Sequence, residues 1–423
     1  MALTENRKSV LYIVADAFRS DYLEPQNTPF LCSLAEKGTY VKKLRPNFGF
    51  CERTEMFTGT RPDENDFFTA LTFGDEGSAF AKCRADISLL SLFDWKTKFL
   101  RRYIRRFFRD WFSKVRKVSQ PVYEIPLKLL PLITLTEDVR DLQKPGWSNT
   151  ETIFDVVRET GKSFYFDTFA SLTMKMSTDD DRTEHLCRVF PESDYDFYLA
   201  YIGDGDGTGH QFGPSSEEAI KMTRRVDDRI KKIAHAFFES FPAGKILVIG
   251  DHGMLEVVSI IDMDRKIMRI ASSADLRLRK DFDYFLDSTL TRIWFRTAKA
   301  ENAFSSAFEK DHEINANGKI ITRDLAASLH IPFPGCRYGD LMWMANPGIL
   351  IFPDFFHYRR PCRGMHGYET QVPGQKGFAV ASGTGIQNRY IDEAELIDVC
   401  PSLCRLLEIR EPEQNRGKSF IES

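Results

Sequence analysis

This chain of 423 residues is poor in several things. Its eight cysteines, Cys32, Cys51, Cys83, Cys187, Cys336, Cys362, Cys400 and Cys404, form no CxxC pair and no framework spacing. That excludes a disulfide scaffold and points to a reducing compartment. No run of about 18 apolar residues occurs, so no segment is expected to span a bilayer. The opening stretch MALTENRKSVLYIVADAF holds only a short apolar run, Val10–Ala15, cut off at once by Asp16. It does not read as a secretory leader, and a cytoplasmic location, extending to the inner membrane surface, is expected. Internal repeats and low-complexity tracts are lacking. A net charge of −3 gives no general affinity for nucleic acid, and none is expected as a partner. Histidine is scarce, with eight in all, and three of them fall in the segments singled out below.

What is present is a repeated strand pattern. Ser9–Asp16 (SVLYIVAD), Tyr195–Asp204 (YDFYLAYIGD) and Lys245–Asp251 (KILVIGD) are apolar, β-branched runs, each ending in a carboxylate. Such continuous runs suit buried parallel strands. Thr28–Gly38 carries a helix start and a Gly stop, and Ser215–Phe241 has helical periodicity. Strands alternating with helices predict a mostly parallel sheet covered on both faces, whose ligands bind beyond the carboxyl ends of its strands.

Six residues then read as metal ligands: Asp16, Asp206, His210, Asp251, His252 and His366. Asp206-Gly-Thr-Gly-His210 sets a carboxylate and an imidazole four apart in what reads as a Gly-rich loop. Asp204 is a weaker neighbour. Asp251-His252-Gly253 follows a strand directly, and Gly364-Met-His366-Gly is another Gly-flanked histidine. Mixed Asp/His ligation of two divalent ions suits Zn²⁺, with Mn²⁺ as the alternative, and such a pair suits a phosphate ester.

The segments VLYIVADAFRSDYL, FTGTRP, DGTGHQFGP, VIGDHGM, GMHGYE and IDVCPSLCRLLEI resemble the alkaline phosphatase superfamily, and within it the type I phosphodiesterase/nucleotide pyrophosphatase branch. The resemblance runs from residue 10 to residue 409. It implies an alkaline-phosphatase-like three-layer α/β/α fold with inserted cap regions. It further implies a metal-dependent phosphodiesterase or nucleotide pyrophosphatase working by in-line attack through a covalent intermediate. One ion would be held by Asp206, His210 and His366, the other by Asp16, Asp251, His252 and the nucleophile. Phosphoryl transferase, phosphomonoesterase and sulfatase activities occur in the same superfamily, and a catalytically silent anion- or partner-binding member is the remaining alternative.

The family places a Thr or Ser nucleophile nine residues before the Thr of a Thr-Gly pair. Here the pair is Thr58-Gly59, and that count lands on Gly49. Only Cys51 and Thr54 offer a nucleophilic atom just upstream. Cys51 falls where a helix should begin, which favours a thiolate; Thr54 is the alternative. The run Cys-Glu-Arg-Thr lacks the Pro of the sulfatase C-x-P-x-R motif. Arg53 is positioned to hold a non-bridging oxygen, or is simply a solvated helix residue.

Trp95–Val118 (WKTKFLRRYIRRFFRDWFSKVRKV) holds ten Lys/Arg and one acid, a charge of +9 that leaves −12 on the rest of a chain whose total is −3. Trp95, Phe99, Tyr103, Phe107 and Trp111 recur every four residues, as on one aromatic helix face. Such a helix fits an anionic membrane surface, or a lid over the catalytic domain. A lipid- or glycan-linked phosphoester, or a small-molecule one, is the expected substrate. The expected organisation is a catalytic domain from 1–79, 145–261 and 362–423, with a basic aromatic helical insertion at 80–144 and an α+β cap at 262–361.

Overall fold

The computed structural model describes residues 8–422, apart from 75–76, 94–97, 119, 138–141, 168–176, 334 and 336. The polypeptide divides into two compact units. The first comprises Met1–Phe67, Arg140–Glu256 and Arg363–Ser423; the second comprises Phe68–Val139 and Val257–Cys362. The segments read as two separate insertions, 80–144 and 262–361, thus fall almost wholly within one unit.

The first unit is built on a seven-stranded sheet. Its strands are β1 (Val10–Ala15), β2 (Thr39–Arg45), β3 (Phe164–Phe166), β4 (Phe197–Ile202), β5 (Lys245–Gly250), β6 (Gly377–Gly383) and β7 (Arg389–Glu395). They lie in the order β7-β2-β6-β5-β1-β4-β3, and only β6 runs antiparallel to its neighbours. The alternation of side chains along β1 builds a layer on each face. Val10, Tyr12 and Val14 pack with Met56, Phe57, Ile153, Phe154 and Leu403 on one side. Leu11, Ile13 and Ala15 pack with Leu31, Val226, Ile230 and Phe237 on the other. Burying each such side chain contributes about 1.5–3 kcal/mol, so the central strand anchors both layers. The fold is therefore α/β with helices on both faces.

Register decides where the site forms. Ala15 pairs with Ile202 in β4 and with Gly250 in β5, so three parallel strands end level. The chain leaves all three at one edge. Helix Glu217–Ser240, capped by Ser216, supports that edge, and its Asp227 accepts the N–H groups of Phe30 and Leu31 at the start of helix Pro29–Lys37 (3.0 and 2.8 Å). A carboxylate there complements the helix N-terminus.

The second unit holds a four-stranded antiparallel sheet in the order Phe282–Leu286, Leu290–Phe295, Leu341–Ala345, Gly318–Ile320. The basic helix Lys98–Asp110 belongs to it. Trp95 and Lys96 lie outside the described residues, as do the side chains of 98–102. The aromatic residues expected on one face divide. Phe108 and Phe112 are buried, with Phe112 edge-on to Phe80 at 5.3 Å, while Tyr103 and Phe107 are exposed. Arg105 is drawn inward to donate to the Ile125 carbonyl at 2.5 Å. Among the described residues no helix is long and apolar enough to cross a membrane.

Candidate metal centre

All six side chains singled out in the sequence meet at the level ends of β1, β4 and β5. Asp16 follows β1 directly, and its N–H donates to Ile202 at the end of β4 (2.9 Å). Asp251 and His252 follow β5. His366 follows the short Gly364–Met365 strand, which pairs with Leu255–Glu256. Asp206 and His210 stand one turn apart on helix Asp204–Phe212, not in a loop. Gly205 and Gly209 serve close packing rather than loop conformation. A Cβ on Gly205 would sit 2.2 Å from the Asp16 carbonyl oxygen, and one on Gly209 would sit 2.4 Å from the Met254 sulfur. Asp204 turns away, accepting from Arg225 (2.9 Å) and Arg229 (2.9 Å).

Donor atoms gather into three overlapping groups, each within 4.8 Å: Asp206, His210 and His366; Asp16, Asp251 and His252; and Glu52, His252 and His366. The orientation of the imidazoles is fixed from behind. His210 Nδ1 lies 2.9 Å from the Gly364 carbonyl, and His252 Nδ1 lies 2.9 Å from the Gly253 carbonyl. With Nδ1–H donating backward, each Nε2 lone pair faces forward. It then meets a carboxylate: His210 Nε2 to Asp206 Oδ1 at 3.0 Å, and His252 Nε2 to Asp16 Oδ1 at 3.1 Å. His366 Nε2 lies 3.6 Å from the same Asp206 oxygen. Acceptor facing acceptor needs a proton or a cation between them. Asp206 Oδ1 is buried and faces the Nε2 atoms of both His210 and His366. The donor set therefore fits divalent cations.

Titration behaviour carries the same imprint. Burial pushes the Asp251 carboxyl up to about 7, with Asp16 and Glu52 adding to the push and His252 opposing it. Burial opposes the charge on His252, yet Asp251, Asp16 and Glu52 hold it protonated well above its ordinary value. Burial likewise opposes ionisation of Asp206, but His210 and then His366 hold its carboxyl low. His366 is kept neutral, first by burial and then by His252. Tyr201, the penultimate residue of β4, donates its hydroxyl to Asp16.

Cys51 is the N-cap of helix Glu52–Thr58, and Thr54 lies in its first turn. Both are buried, and Cys51 packs into the apolar layer beneath the sheet. Cys51 joins none of the three donor groups. Arg53 is half-buried, and its charge acts on Tyr201. From this segment it is Glu52, which the sequence reading passed over, that reaches the donors.

Comparison with known proteins agrees with this architecture. The sequence profile of the type I phosphodiesterase / nucleotide pyrophosphatase family matches residues 10–369. Bis(5'-adenosyl)-triphosphatase ENPP4 of Bos taurus is 20% identical over 417 residues, 96% of this chain and 80% of that protein. Ectonucleotide pyrophosphatase/phosphodiesterase family member 7 of Homo sapiens is 33% identical over 235 residues; the match takes in 54% of this chain and 48%, about half, of that protein. The structure of murine ectonucleotide pyrophosphatase / phosphodiesterase 5, inactive and in complex with AMP, superposes with a TM-score of 0.66 at 16% identity over 96% of each chain. Its human counterpart gives 0.67 at 15% identity over 98% of this chain and 100% of that one. The chain belongs to the type I phosphodiesterase / nucleotide pyrophosphatase family, whose members are metal-dependent hydrolases of phosphodiester and pyrophosphate bonds.

Proposed function

We propose that the chain hydrolyses a nucleotide-type phosphodiester or pyrophosphate at two divalent ions, Zn²⁺ with Mn²⁺ as the alternative. Asp206, His210 and His366 would hold one ion, and Asp16, Asp251 and His252 the other. The observation that carries this reading is the pair of imidazoles whose Nε2 atoms face carboxylates while their Nδ1 atoms are tied to backbone carbonyls. When bound, the ions supply positive charge for the phosphate oxygens and the departing group. The protein's own part is to fix the donors and deliver a nucleophile. Cys51, at the start of helix Glu52–Thr58, is the proposed attacking atom, with Thr54 as the alternative. Attack on phosphorus displaces the leaving alkoxide or phosphate and forms a covalent intermediate, which water then cleaves. Arg53, beside Cys51, would bind a non-bridging oxygen.

The test uses bis-p-nitrophenyl phosphate, p-nitrophenyl thymidine monophosphate and p-nitrophenyl phosphate with Zn²⁺ or Mn²⁺. Diester preference is expected, and monoester preference refutes the reading. C51A is expected to lower kcat by about 10³-fold or more. Full turnover in both C51A and T54A refutes covalent attack by either residue.

The exposed Tyr103 and Phe107, with exposed Arg106, Arg109 and Lys114 beside them, support a second proposal: peripheral contact with anionic lipid. Sedimentation with phosphatidylserine-containing vesicles should be lost in Y103S/F107S. Equal pelleting of the variant removes the proposal.

A further inference from the structure

Glu52 lies at the seam of the two triads. One of its carboxylate oxygens, one nitrogen of His252 and one nitrogen of His366 fall within 4.8 Å of one another. His252 belongs to the Asp16 triad and His366 to the Asp206 triad, and their rings stack with centroids 4.2 Å apart at 22°. A carboxylate within 4.8 Å of one member of each triad lies where a single side chain can reach both ions.

The placement is built, not incidental. Cys51 as N-cap makes Glu52 the first helical residue. The loop before it is tied down by Glu55, which accepts from the Asn47 backbone N–H (3.1 Å) and side-chain amide (2.9 Å). Phe50 packs edge-on to His366 at 5.5 Å and fills the space a Cβ on Gly367 would need, at 2.2 Å. The segment is thus held on both sides of Glu52. A plain ion pair with His252 would account for half of this arrangement. It would not account for the approach to His366, which belongs to the other triad.

We propose that Glu52 is a carboxylate ligand shared by the two metal sites. The inference rests on the two-metal reading above and adds to it a residue that the family resemblance does not supply. It has a consequence for substrate class. Asp16, Asp206, Asp251 and Glu52 together set four carboxylates against two divalent ions. A charge-balanced centre favours an ester carrying one negative charge over a phosphomonoester carrying two, because the second charge gains no net attraction.

The experiment titrates the chelator-stripped full chain with Zn²⁺ alone, following uptake by mass spectrometry after equilibrium dialysis. Wild type is expected to take up two ions. E52Q should weaken at least one of them by about 100-fold, with circular dichroism unchanged, and E52D should fall between the two. E52Q should also lower the diester-to-monoester ratio of kcat/KM by about 10-fold. Two ions bound by E52Q as tightly as by wild type overturn the role of Glu52 and leave the two-metal reading standing. No zinc uptake by wild type overturns both. Should E52Q not fold, zinc-loaded wild-type crystals decide: a Glu52 oxygen about 2.0–2.2 Å from an ion is expected, and separation by a water or more overturns the proposal.

Discussion

Loading this centre with metal should release protons, and the two triads should release them unequally. Metal ligands must give up their protons, so affinity follows pH wherever the empty site holds them. In the Asp16–Asp251–His252 triad, Asp251 titrates at about 7 because of its burial, and Asp251, Asp16 and Glu52 hold His252 protonated above its ordinary value. At pH 6 this triad therefore holds about two protons that a cation must displace, and fewer at pH 8. In the Asp206–His210–His366 triad, Asp206 is already ionised and His366 already neutral. At most the single proton between His210 and Asp206 must leave. Each proton displaced makes affinity change about tenfold per pH unit, or about 1.4 kcal/mol. Below about pH 7, affinity at the Asp16 triad should fall about 100-fold per unit, and at the Asp206 triad no more than about tenfold. Titration calorimetry with Zn²⁺ at pH 6 and pH 8, in buffers of different ionisation enthalpy, counts the protons at each step. Two steps with equal release at pH 6, or a total below one proton, refute the electrostatic account.

The same shifts fix the sign for stability. The folded value for Asp251 lies above its unfolded value of about 4, so the bound proton stabilises the metal-free fold at low pH. That stabilisation is lost as pH rises from about 4 through about 7, at up to about 1.4 kcal/mol per unit. The metal-loaded protein should run the other way, gaining stability over the same window as affinity rises.

Three further outcomes follow from contacts already described. G205A puts a Cβ 2.2 Å from the Asp16 backbone oxygen and should cost about 2–4 kcal/mol together with zinc affinity, whereas G207A, on the same helix with nothing within 4 Å, should be neutral or mildly stabilising in urea melts. Equal effects from the two variants refute the close-packing explanation. Y201F removes the hydroxyl that holds Asp16 and should weaken one Zn²⁺ site by about tenfold while sparing the other; unchanged binding at both denies Tyr201 a positioning role. In the second unit, Arg292 is buried, donating to Asp287 (2.9 Å) and to the Leu71 carbonyl (2.9 Å), so R292A should lose about 3–5 kcal/mol by chemical denaturation, and a loss below 1 would show the pair to be hydrated.

The legible parts of this chain are those whose information is local. Apolar runs that end in Asp16 and Asp251 announce buried parallel strands and the edge where they stop. The Asp-x-x-x-His spacing at 206–210 was readable as a ligand pair, but its secondary structure was not. Three glycines in helix Asp204–Phe212 lower its intrinsic propensity, and the nearness of Asp16 and Met254 explains two of them, Gly205 and Gly209. The unit boundaries were hidden for a related reason: Phe68–Val139 and Val257–Cys362 are joined by packing between stretches far apart in sequence. The basic helix shows its aromatic period plainly, but the buried side was decided by Phe80, well outside the periodic segment.

Glu52 was hidden in a different way. Counting from Thr58-Gly59 drew attention to which residue replaces a hydroxyl, and so to Cys51 and Thr54. Three residues after the vacated Gly49, the first helical residue, Glu52, offers a carboxylate with a longer reach than a hydroxyl. A glutamate there changes the charge of the centre by a full unit at a distance where solvent screens little. An uncharged hydroxyl leaves two divalent ions facing three carboxylates; Glu52 makes it four. The departure at Gly49 and the arrival of Glu52 are then one change rather than two, and they should be reversed together. In an E52Q background a hydroxyl introduced by G49T should recover more activity than in wild type, because the added carboxylate no longer competes for the ions. A G49T gain that is the same in both backgrounds would separate the two positions and remove the link between them.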